Sequence, residues 1–511
     1  MSNFEFDWLK KWAEYSPDNL MLREYHSGNE WSYSDFNNKV NYLANCLQSE
    51  FDIKKGERVA VLSKNNHAFV ALFFACAKIG AILVPINFRL TTEEIKNLTA
   101  EITPKLFIFQ SEFEKTVSSL KKNHVIVNTL NIASVKKNLS EHDLKNYNPI
   151  NVNIIEDDPI MILFTSGSTG IPKGAIVTHK MLFWNSINTE LRLDINSRDH
   201  TLSFAPFYHT GGWNVLLTPF IHHGASQTMI NEFNSELIID LIEKEKVTIL
   251  FGVPTMLQMM AETEQFKTAD LSSLRYIIVG GAPMPIPLIE KWHNKGVFIR
   301  QGYGLTEVGP NCFSLSEKDA IKKIGSIGFP NFYIDAKLIN QNKDECKIGE
   351  SGELWLRSPV VTPGYWNQKE ETEKAISNGW FHTGDIARKD EDGYYFIVDR
   401  KKNMFISGGE NVYPAEIEKA LYFMQGIKDA AVIGVNDKKW GEVGAAFIVP
   451  DKLDSLNEEL IIEYCKTKLA KYKIPKHFRF LSELPLNSVG KIDKMKLIGI
   501  FNSTTNKGIL Q

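Results

Sequence analysis

The strongest chemical signal in the sequence is a loop of small and hydroxyl-bearing residues that ends in a lysine. It runs Leu163-Phe164-Thr165-Ser166-Gly167-Ser168-Thr169-Gly170-Ile171-Pro172-Lys173-Gly174. The glycines permit backbone angles that point successive N–H groups inward, and the hydroxyls and the Lys173 ammonium add donors, so the loop can bind a phosphate. The lysine follows a proline and precedes a predicted strand, which distinguishes the loop from a Walker loop. A flexible linker is the alternative interpretation.

A second segment combines an aromatic ring, two glycines and two oxygen-bearing side chains: Gln301-Gly302-Tyr303-Gly304-Leu305-Thr306-Glu307. Gly302 and Gly304 let the backbone approach a flat ring, and Tyr303 offers an aromatic face for it. Thr306 is a neutral donor for a phosphate, and Glu307 is a hard oxygen ligand suited to Mg²⁺. Taken alone, the segment is also consistent with a surface turn.

Three segments nearer the C-terminus carry charge or glycine at turns. In Gly379-Trp380-Phe381-His382-Thr383-Gly384-Asp385 the final carboxylate can accept two hydrogen bonds from vicinal hydroxyls. Phe396-Ile397-Val398-Asp399-Arg400-Lys401-Lys402 is typical of a strand that ends in a charged run, and a turn at Gly408-Gly409 follows. In Leu484-Pro485-Leu486-Asn487-Ser488-Val489-Gly490-Lys491-Ile492-Asp493-Lys494 a long-stemmed cation, Lys491, can reach developing negative charge. Each also has a plain structural interpretation, as a turn or a solvated charge.

The elements that must position these residues alternate between short apolar runs and longer amphipathic stretches from about Glu57 to Arg300. Such alternation predicts α/β layers with mainly parallel sheets. Thr91 and Glu94 form a predicted capping box that opens one of the helices. The predicted strands are Arg58–Ser63, Ala81–Ile86, Lys105–Gln110, Pro159–Thr165, Val247–Phe251 and Leu274–Val279, and the predicted helices include His67–Ile79, Ser235–Lys246 and Pro285–Lys295.

The texture changes after Gly349. Glycine, aspartate and aromatic residues become dense through Gly352–Asp399, which predicts a more antiparallel, barrel-like β piece. A compact α+β segment of about a hundred residues follows, within the usual size of a domain. Its predicted elements are helices near Pro414–Met424 and Leu456–Ala470 and strands near Ala430–Val435, Ala445–Val449 and His477–Leu481.

Composition excludes several classes of protein. The chain has 511 residues, 43% hydrophobic and 23% charged, which is ordinary for a globular protein and is long enough for more than one domain. The formal net charge of −3 argues against a surface for nucleic acid spread over the molecule. Five scattered cysteines predict reduced thiols, and the acidic N-terminus lacks the plan of a signal peptide, so we expect a cytoplasmic protein. Lys78, Gly80 and Pro85 interrupt the apolar stretch Phe69–Ile86, which predicts a buried helix and strand rather than a membrane span.

The phosphate loop resembles the signature of the adenylate-forming superfamily, which includes acyl-CoA synthetases, adenylation domains and beetle luciferases. The four further segments match that family in order, and the resemblance covers about Ser32 to Leu497. It implies a large N-terminal AMP-binding and acyl-pocket domain (residues 1–398), built of layered α/β sheets plus the β piece. It also implies a small mobile C-terminal catalytic domain (399–511).

The resemblance implies roles for individual residues around a nucleotide. Tyr303, Thr306 and Glu307 would hold ATP and Mg²⁺, and Gly281-Ala282-Pro283 would lie on the other side of the adenine. Asp385 would bind the ribose, and Asp399 would be the inter-domain hinge. Arg400 would contact ribose and phosphate, and Ile397 would also belong to the nucleotide-binding residues. Gly408 and Gly409 would pass the pantetheine arm of coenzyme A, and Lys491 would be the mobile catalytic lysine.

His209, in Pro206-Phe207-Tyr208-His209-Thr210-Gly211-Gly212-Trp213, matches a position between acyl pocket and thiol entrance in related synthetases. A substrate-positioning or gating role is expected for it, with a core histidine as the alternative. The pocket segments, which include Phe251-Gly252-Val253-Pro254-Thr255-Met256 and the glycine loops, are apolar, with Trp213 expected among them.

The activity that the resemblance implies is ATP-dependent acyl-CoA ligation in two steps, through an acyl-adenylate. We expect a medium- or long-chain fatty acid first and an aryl acid second; an amino acid is disfavoured because no aspartate is placed to meet an ammonium group. A carrier-protein thiol as acceptor and a scaffold without catalysis are the alternatives. The expected partners are the acid, ATP and coenzyme A, with no nucleic acid and no transmembrane segment, and a homodimer is left open.

Overall fold

A computed structural model describes residues 6–141, 147, 152–165, 172–282, 284–451, 456–487 and 492–505. The chain divides into two compact units. The first comprises Met1–Ala336, Trp355–His382 and Asp392–Tyr395, and the second comprises Lys337–Leu354, Thr383–Glu391 and Phe396–Gln511. The boundary between residues 398 and 399 stays a prediction, since this division also assigns two earlier segments to the second unit.

Sixteen α-helices lie in the described residues. They are α1 Trp8–Tyr15, α2 Tyr33–Ser49, α3 His67–Ile79, α4 Thr92–Ile102, α5 Glu114–Lys122, α6 Ile132–Glu141, α7 His179–Leu193, α8 Leu217–His222, α9 Ser235–Glu245, α10 Pro254–Ala261, α11 Glu264–Thr268, α12 Ile286–Asn294, α13 Lys369–Ala375, α14 Pro414–Tyr422, α15 Glu458–Lys468 and α16 Lys494–Thr505.

Twenty-five strands accompany them in the same part of the chain. They are β1 Leu20–Glu24, β2 Asn29–Ser32, β3 Arg58–Leu62, β4 Ile82–Pro85, β5 Leu106–Phe109, β6 Thr129–Asn131, β7 Pro159–Thr165, β8 Lys173–Thr178, β9 His200–Ser203, β10 Ser226–Met229, β11 Ile249–Gly252, β12 Tyr276–Val279, β13 Ile299–Tyr303, β14 Phe313–Ser314, β15 Ser326–Pro330, β16 Asp335–Ile339, β17 Ser351–Arg357, β18 Ile376–Ser377, β19 Trp380–Lys389, β20 Tyr395–Arg400, β21 Phe405–Ser407, β22 Glu410–Val412, β23 Ile427–Asp437, β24 Gly441–Pro450 and β25 His477–Phe480.

A six-stranded sheet in the first unit has the order β6-β5-β3-β4-β7-β8. All its pairs are parallel except the β7–β8 hairpin. Both faces are buried: on β3, Val59 and Val61 pack into one apolar cluster and Ala60 and Leu62 into another. This explains why the sequence of β3 is continuously apolar, as in parallel sheets covered on both sides.

The other sheets of the first unit bring the remaining segments of interest to strand ends. One has the order β2-β1-β10-β9. In another, β11, β12 and β13 pair in parallel, and β14 and β15 continue it in antiparallel fashion. Because carboxyl ends of parallel strands share one edge, the segments after β11, β12 and β13 emerge on the same side of this sheet.

The second unit contains a five-stranded sheet in which β22, β21, β24 and β23 are neighbours and β25 pairs in parallel with β24. Strand β23 buries both faces: Ala430 and Val432 pack in one cluster, and Ala431 and Ile433 in the other. The first cluster includes residues of α14 and α15, which cover that face. Strands β20, β19, β17 and β16 are neighbours in that order.

The apolar stretch Phe69–Ile86 forms most of helix α3 and then strand β4, as the sequence predicts. Among the described residues, no helix is both long and apolar enough to cross a membrane. The five cysteines are free thiols; Cys76, Cys312 and Cys465 are buried.

Candidate functional site

The β7–β8 hairpin presents the two ends of the predicted phosphate loop. Thr165, the last residue of β7, is paired with Lys173, the first residue of β8. The loop residues Ser166, Gly167, Ser168, Thr169 and Gly170 lie outside the described residues. The antiparallel pairing places the two ends of the loop, Thr165 and Lys173, next to each other.

Glu307 is brought to this hairpin from a distant part of the chain. It lies in a 3₁₀ turn, Thr306–Val308, and its Oε1 accepts a hydrogen bond of 3.3 Å from the Thr165 hydroxyl. The preceding turn is tight: a Cβ on Gly304 would lie 2.3 Å from the carbonyl carbon of Pro310, which explains the glycine. The structure therefore joins the two strongest sequence motifs, 142 residues apart, at one point.

A segment that the sequence analysis did not single out fastens both motifs. We call Thr362–Thr372 the strap. Its Tyr365 hydroxyl donates to Glu307 Oε1 at 3.0 Å, and the Thr362 amide donates to the Glu307 carbonyl at 2.7 Å. Within the described part of the chain, no group donates a hydrogen bond to Glu307 Oε2. One carboxylate oxygen is thus oriented by two hydroxyls, and the other is left for a ligand.

The strap also pairs with strand β8. The Trp366 amide donates to the Gly174 carbonyl at 2.8 Å, and the Ile176 amide donates to the Gly364 carbonyl at 3.1 Å. Gly364 has φ +146°, and a Cβ there would lie 2.5 Å from Thr372 Cγ2, so the strap turns back on itself at a position that only glycine fits. Backbone pairing therefore fixes the strap relative to the lysine that begins β8.

Lys173 points at the strap. Its ammonium forms an ion pair with Glu371, and it lies 5.1 Å from the centroid of the Tyr365 ring. Glu371 also pairs with Lys374 at 2.7 Å. Hydrogen bonds from Lys173 and then Lys374 lower the pKa of Glu371 to about 2. In this structure the lysine charge is therefore already neutralised by a carboxylate that stays ionised.

The predicted adenine-binding residues lie at the ends of β12 and β13. Tyr303 is the last residue of β13, and its ring contacts Phe313 edge-on at 5.7 Å. Gly302 pairs with Ser314 in the sheet. After β12, Gly281 has φ +83° and Ala282 is exposed, while Pro283 lies outside the described residues. Both segments follow adjacent parallel strands and so emerge at one sheet edge.

The region expected to hold the acid contains a ring flanked by glycines. A Cβ on Gly211 would lie 3.2 Å from Phe251 Cε1, and one on Gly280 would lie 3.8 Å from Cε2. Glycine backbone therefore lies near two atoms of the Phe251 ring, which is partly buried against an apolar cluster. His209 is half-buried, 4.6 Å from the Tyr208 ring centroid, in the loop just before Gly211.

Trp213 does not line that pocket, contrary to the expectation. Its side chain is fully buried, its indole N–H donates to the Phe207 carbonyl, and its ring stacks on Phe207 at 4.3 Å. The rings of Phe69 and Phe73 pack around it. A large aromatic side chain gains more from a core that also satisfies its N–H than from a pocket wall.

In the second unit, Asp385 and Arg400 form an ion pair. Asp385 lies in β19 and is 2% exposed, and its Oδ1 lies 2.5 Å from Arg400 Nε at the end of β20. The Asp385 amide donates to the Thr383 hydroxyl at 3.0 Å. The turn predicted at Thr383-Gly384 is not present, because Trp380–Lys389 form one strand in which only Gly384 departs to a positive φ of +68°. Ile397 is half-buried in β20. Two predicted nucleotide ligands are therefore adjacent.

Asp399 accepts three hydrogen bonds from described residues. Its Oδ1 accepts from the Arg400 amide at 2.6 Å and from Asn403 Nδ2 at 3.0 Å, and its Oδ2 accepts from the Ala415 amide at 2.7 Å. Ala415 lies in the first turn of α14, whose N–H groups need such an acceptor. The carboxylate thus joins the end of β20 to the start of α14.

The two glycines at 408 and 409 make the turn between β21 and β22. Both have positive φ, +62° and +89°, as a two-residue hairpin turn requires. A Cβ on Gly408 would lie 2.8 Å from the Trp440 ring, so the turn lies directly against that indole. Lys491 lies outside the described residues; the nearest described pairing is the bridge between Leu486 and Ile492.

The donor set around Glu307 fits a magnesium ion held partly by its substrate. Among the described residues, no group of three or more His, Cys, Asp or Glu could hold a metal. Mg²⁺ is commonly held by one or two carboxylates plus substrate phosphates, with water completing its shell. Glu307, with Oε1 held by two hydroxyls and no described group donating to Oε2, supplies the single carboxylate that such a site needs.

Comparison with known proteins identifies the family of the chain. The family described as "AMP-binding enzyme" matches residues 9–366, and "AMP-binding enzyme C-terminal domain" matches 416–491. The chain is 37% identical to a feruloyl-CoA synthase of an Amycolatopsis species, covering 95% of this chain and 97% of that protein. It is 35% identical to a long-chain-fatty-acid–CoA ligase of Mycobacterium tuberculosis, covering 98% and 99%. O-succinylbenzoate coenzyme A synthetase from Bacillus subtilis, solved with ATP and a magnesium ion, superposes with a TM-score of 0.85 at 30% identity, covering 95% and 98%.

Proposed function

The chain belongs to the AMP-binding enzyme family, and on that premise we propose that it activates an apolar monocarboxylic acid with ATP and transfers the acyl group to coenzyme A. The observation that carries this proposal is the hydrogen bond between Thr165 and Glu307. The strap contacts both Glu307 and Lys173 and so holds them at the same place. Relatives over nearly the full chain length are CoA ligases for fatty and for aromatic acids.

The reaction needs two steps because oxide is a poor leaving group. In the first, a carboxylate oxygen attacks the α-phosphorus of ATP, and the bond to the β-phosphate oxygen breaks to release pyrophosphate. In the second, the coenzyme A sulfur attacks the acyl carbon, the bond to AMP breaks, and the thiol proton passes to solvent. The first step is dominated by positioning and by neutralisation of phosphate charge.

The residues of the first unit are suited to that first step. Lys173 meets the phosphates, the Thr165 hydroxyl orients Glu307 beside them, and Glu307 would hold Mg²⁺ through Oε2. Bound there, the ion neutralises phosphate charge. We assign Tyr303, Gly302 and Gly304 to the adenine, with Gly281 and Ala282 opposite, and Thr306 to the α-phosphate.

The residues of the second unit are assigned by their chemistry and by the family's motifs. Asp385, held by Arg400, is proposed to accept hydrogen bonds from the ribose hydroxyls. Gly408 and Gly409 are proposed to pass the pantetheine arm. Lys491 is proposed to stabilise negative charge between carboxylate and α-phosphate, and Asp399 to be the hinge.

For the acid, we propose a medium- or long-chain fatty acid. The support is the apolar cluster against which Phe251 packs and the likeness to a long-chain-fatty-acid–CoA ligase. An aryl acid is the second candidate, because the chain is 37% identical to a feruloyl-CoA synthase and the Phe251 ring in this region could contact a flat group. His209, in the loop before Gly211, is proposed to position the acid or gate the thiol.

A screen of acids tests the proposal. Purified protein with Mg²⁺ is given labelled pyrophosphate, ATP and a series of fatty acids from four to eighteen carbons or a series of benzoic and cinnamic acids. We expect acid-dependent exchange of label into ATP, and AMP release when free coenzyme A is added. No exchange with any acid would overturn adenylation. Exchange without AMP release on free coenzyme A would assign the thiol to a carrier protein instead.

A further inference from the structure

Glu371 lies where a bound polyphosphate would compete with it. Its carboxylate pairs with Lys173, whose side chain is 15% exposed, and its own side chain is 29% exposed. The ammonium group that the proposed function gives to the phosphates is therefore occupied in this structure. A polyphosphate cannot use the full charge of Lys173 while the carboxylate keeps it, since both would compete for the same donors.

Lys374 gives that carboxylate a second partner. It lies three residues further along α13, one turn of helix away, and pairs with Glu371 Oε1, while Lys173 pairs with Oε2. When Lys173 turns to a phosphate, Glu371 keeps one cation and is not left unpaired. Exchange is then cheaper than breaking an isolated, partly buried ion pair, which leaves an uncompensated charge.

We propose that Glu371 and Lys374 form a counter-ion exchange device for Lys173: Glu371 holds the lysine in the empty enzyme, yields it to the β- and γ-phosphates of ATP, and recaptures it as pyrophosphate leaves. The proposal rests on the proposed function, in which Lys173 is a polyphosphate ligand. Glu371 and Lys374 are positioning residues, since they act through Lys173. The device weakens ATP binding somewhat and promotes pyrophosphate release.

The device predicts effects of opposite sign for two charge-neutralising variants. Glu371→Gln removes the competitor, so the Kd values for ATP and pyrophosphate, measured by isothermal titration calorimetry, should fall by about 3- to 10-fold. Lys374→Gln removes the second partner, so both Kd values should rise by about 2- to 5-fold. The Kd for AMP, which lacks the β- and γ-phosphates, should not change in either variant.

Matched controls separate the effect of the Lys173–Glu371 contact from the effect of changing the charge near the site. Glu370→Gln removes the same charge from an exposed neighbour on the same helix, and Lys369→Gln removes a cation that is 88% exposed. Each should change the Kd for ATP by less than about 2-fold. Glu371→Asp keeps the charge, so its Kd for ATP should lie between that of the wild type and that of Glu371→Gln.

The outcomes distinguish this inference from the proposed function. If Glu371→Gln and Glu370→Gln shift ATP binding equally, or if the Kd for AMP moves with that for ATP, the exchange device is refuted while adenylation stands. If Lys173→Gln leaves ATP binding unchanged, the assignment of Lys173 itself fails. Thermal denaturation of each variant shows whether a change in Kd is caused by unfolding of the protein.

Discussion

Two carboxylates, Glu307 in the first unit and Asp399 in the second, are held in contrasting ways. Glu307 receives two side-chain hydroxyls on one oxygen, and its other oxygen accepts no bond within the described residues. Asp399 uses both oxygens, mainly on backbone N–H groups. The difference teaches that a carboxylate oriented by hydroxyls on one oxygen keeps capacity for a ligand, whereas one bonded through both oxygens holds two segments of the chain together.

The largest expected effect tests whether the second unit acts chemically through Lys491. Lys491→Ala should slow adenylate formation by about 10²- to 10³-fold, because one donor to the developing charge is lost. Thioester formation from supplied acyl-adenylate should be spared. Rapid-quench measurement of each half-reaction checks this, and equal loss in both would contradict a role confined to the first step.

The next effect concerns Asp399, the carboxylate that accepts hydrogen bonds on both oxygens. Asp399→Asn replaces one acceptor oxygen with an NH₂ group that faces a backbone or side-chain donor, so the free energy of unfolding should fall by about 2 kcal/mol. Chemical denaturation measures this. Asp451→Asn, at an exposed position of the second unit, is the control and should change stability little. Equal effects in the two variants would remove the contrast with Glu307.

A smaller effect is expected at the oriented carboxylate. Tyr365→Phe removes one hydroxyl from Glu307 but keeps the ring beside Lys173. The affinity for Mn²⁺ in the presence of ATP, measured by electron paramagnetic resonance, should fall about 3- to 10-fold, and stability should change little. Tyr333→Phe, 45% exposed, is the control. A loss of stability without a change in ion affinity would show that Tyr365 serves the fold.

The smallest effect is an absence of pH dependence in the Lys173–Glu371 pair. The hydrogen bonds from Lys173 and Lys374 lower the pKa of Glu371 to about 2, so the pair is retained above pH 4.5 and lost only as the pH falls toward 2. The ratio of ATP Kd values between wild type and Glu371→Gln should therefore stay constant from pH 8 to pH 5. Protonation of ATP itself cancels in the ratio. A ratio that approaches one by pH 5 would contradict this.

Local patterns predicted many of the elements well. Strand β7 and helix α3 have the predicted bounds, and the predicted capping box at Thr91 and Glu94 begins α4. Strand β23 is longer than predicted, Ile427–Asp437 instead of Ala430–Val435, because its hairpin with β24 continues through polar residues. Pairing partners, not local hydrophobicity, set such ends.

The sequence pointed to the motifs of the candidate site but not to the segment that holds them in place. Thr165 and Glu307 were chosen for their chemistry, and the structure joins them. The strap was missed because Tyr365 and Glu371 are ordinary residue types whose partners lie 58 and 198 residues away. The two acids at the start of α13 also have a sufficient local explanation, since negative charge suits a helix N-terminus. Trp213 was misassigned because its type fits core and pocket alike.

The turn at Gly364 limits which substitutions the strap can accept during evolution. In a library with every strap position randomised and selected for ligase activity, Gly364 should keep only its own codons, because any side chain would collide with Thr372. Lys369, three-quarters of the way along the same segment and almost fully exposed, should accept nearly every replacement. Tolerance would thus change abruptly over five residues, and a sequencing readout could detect the strap without any structure.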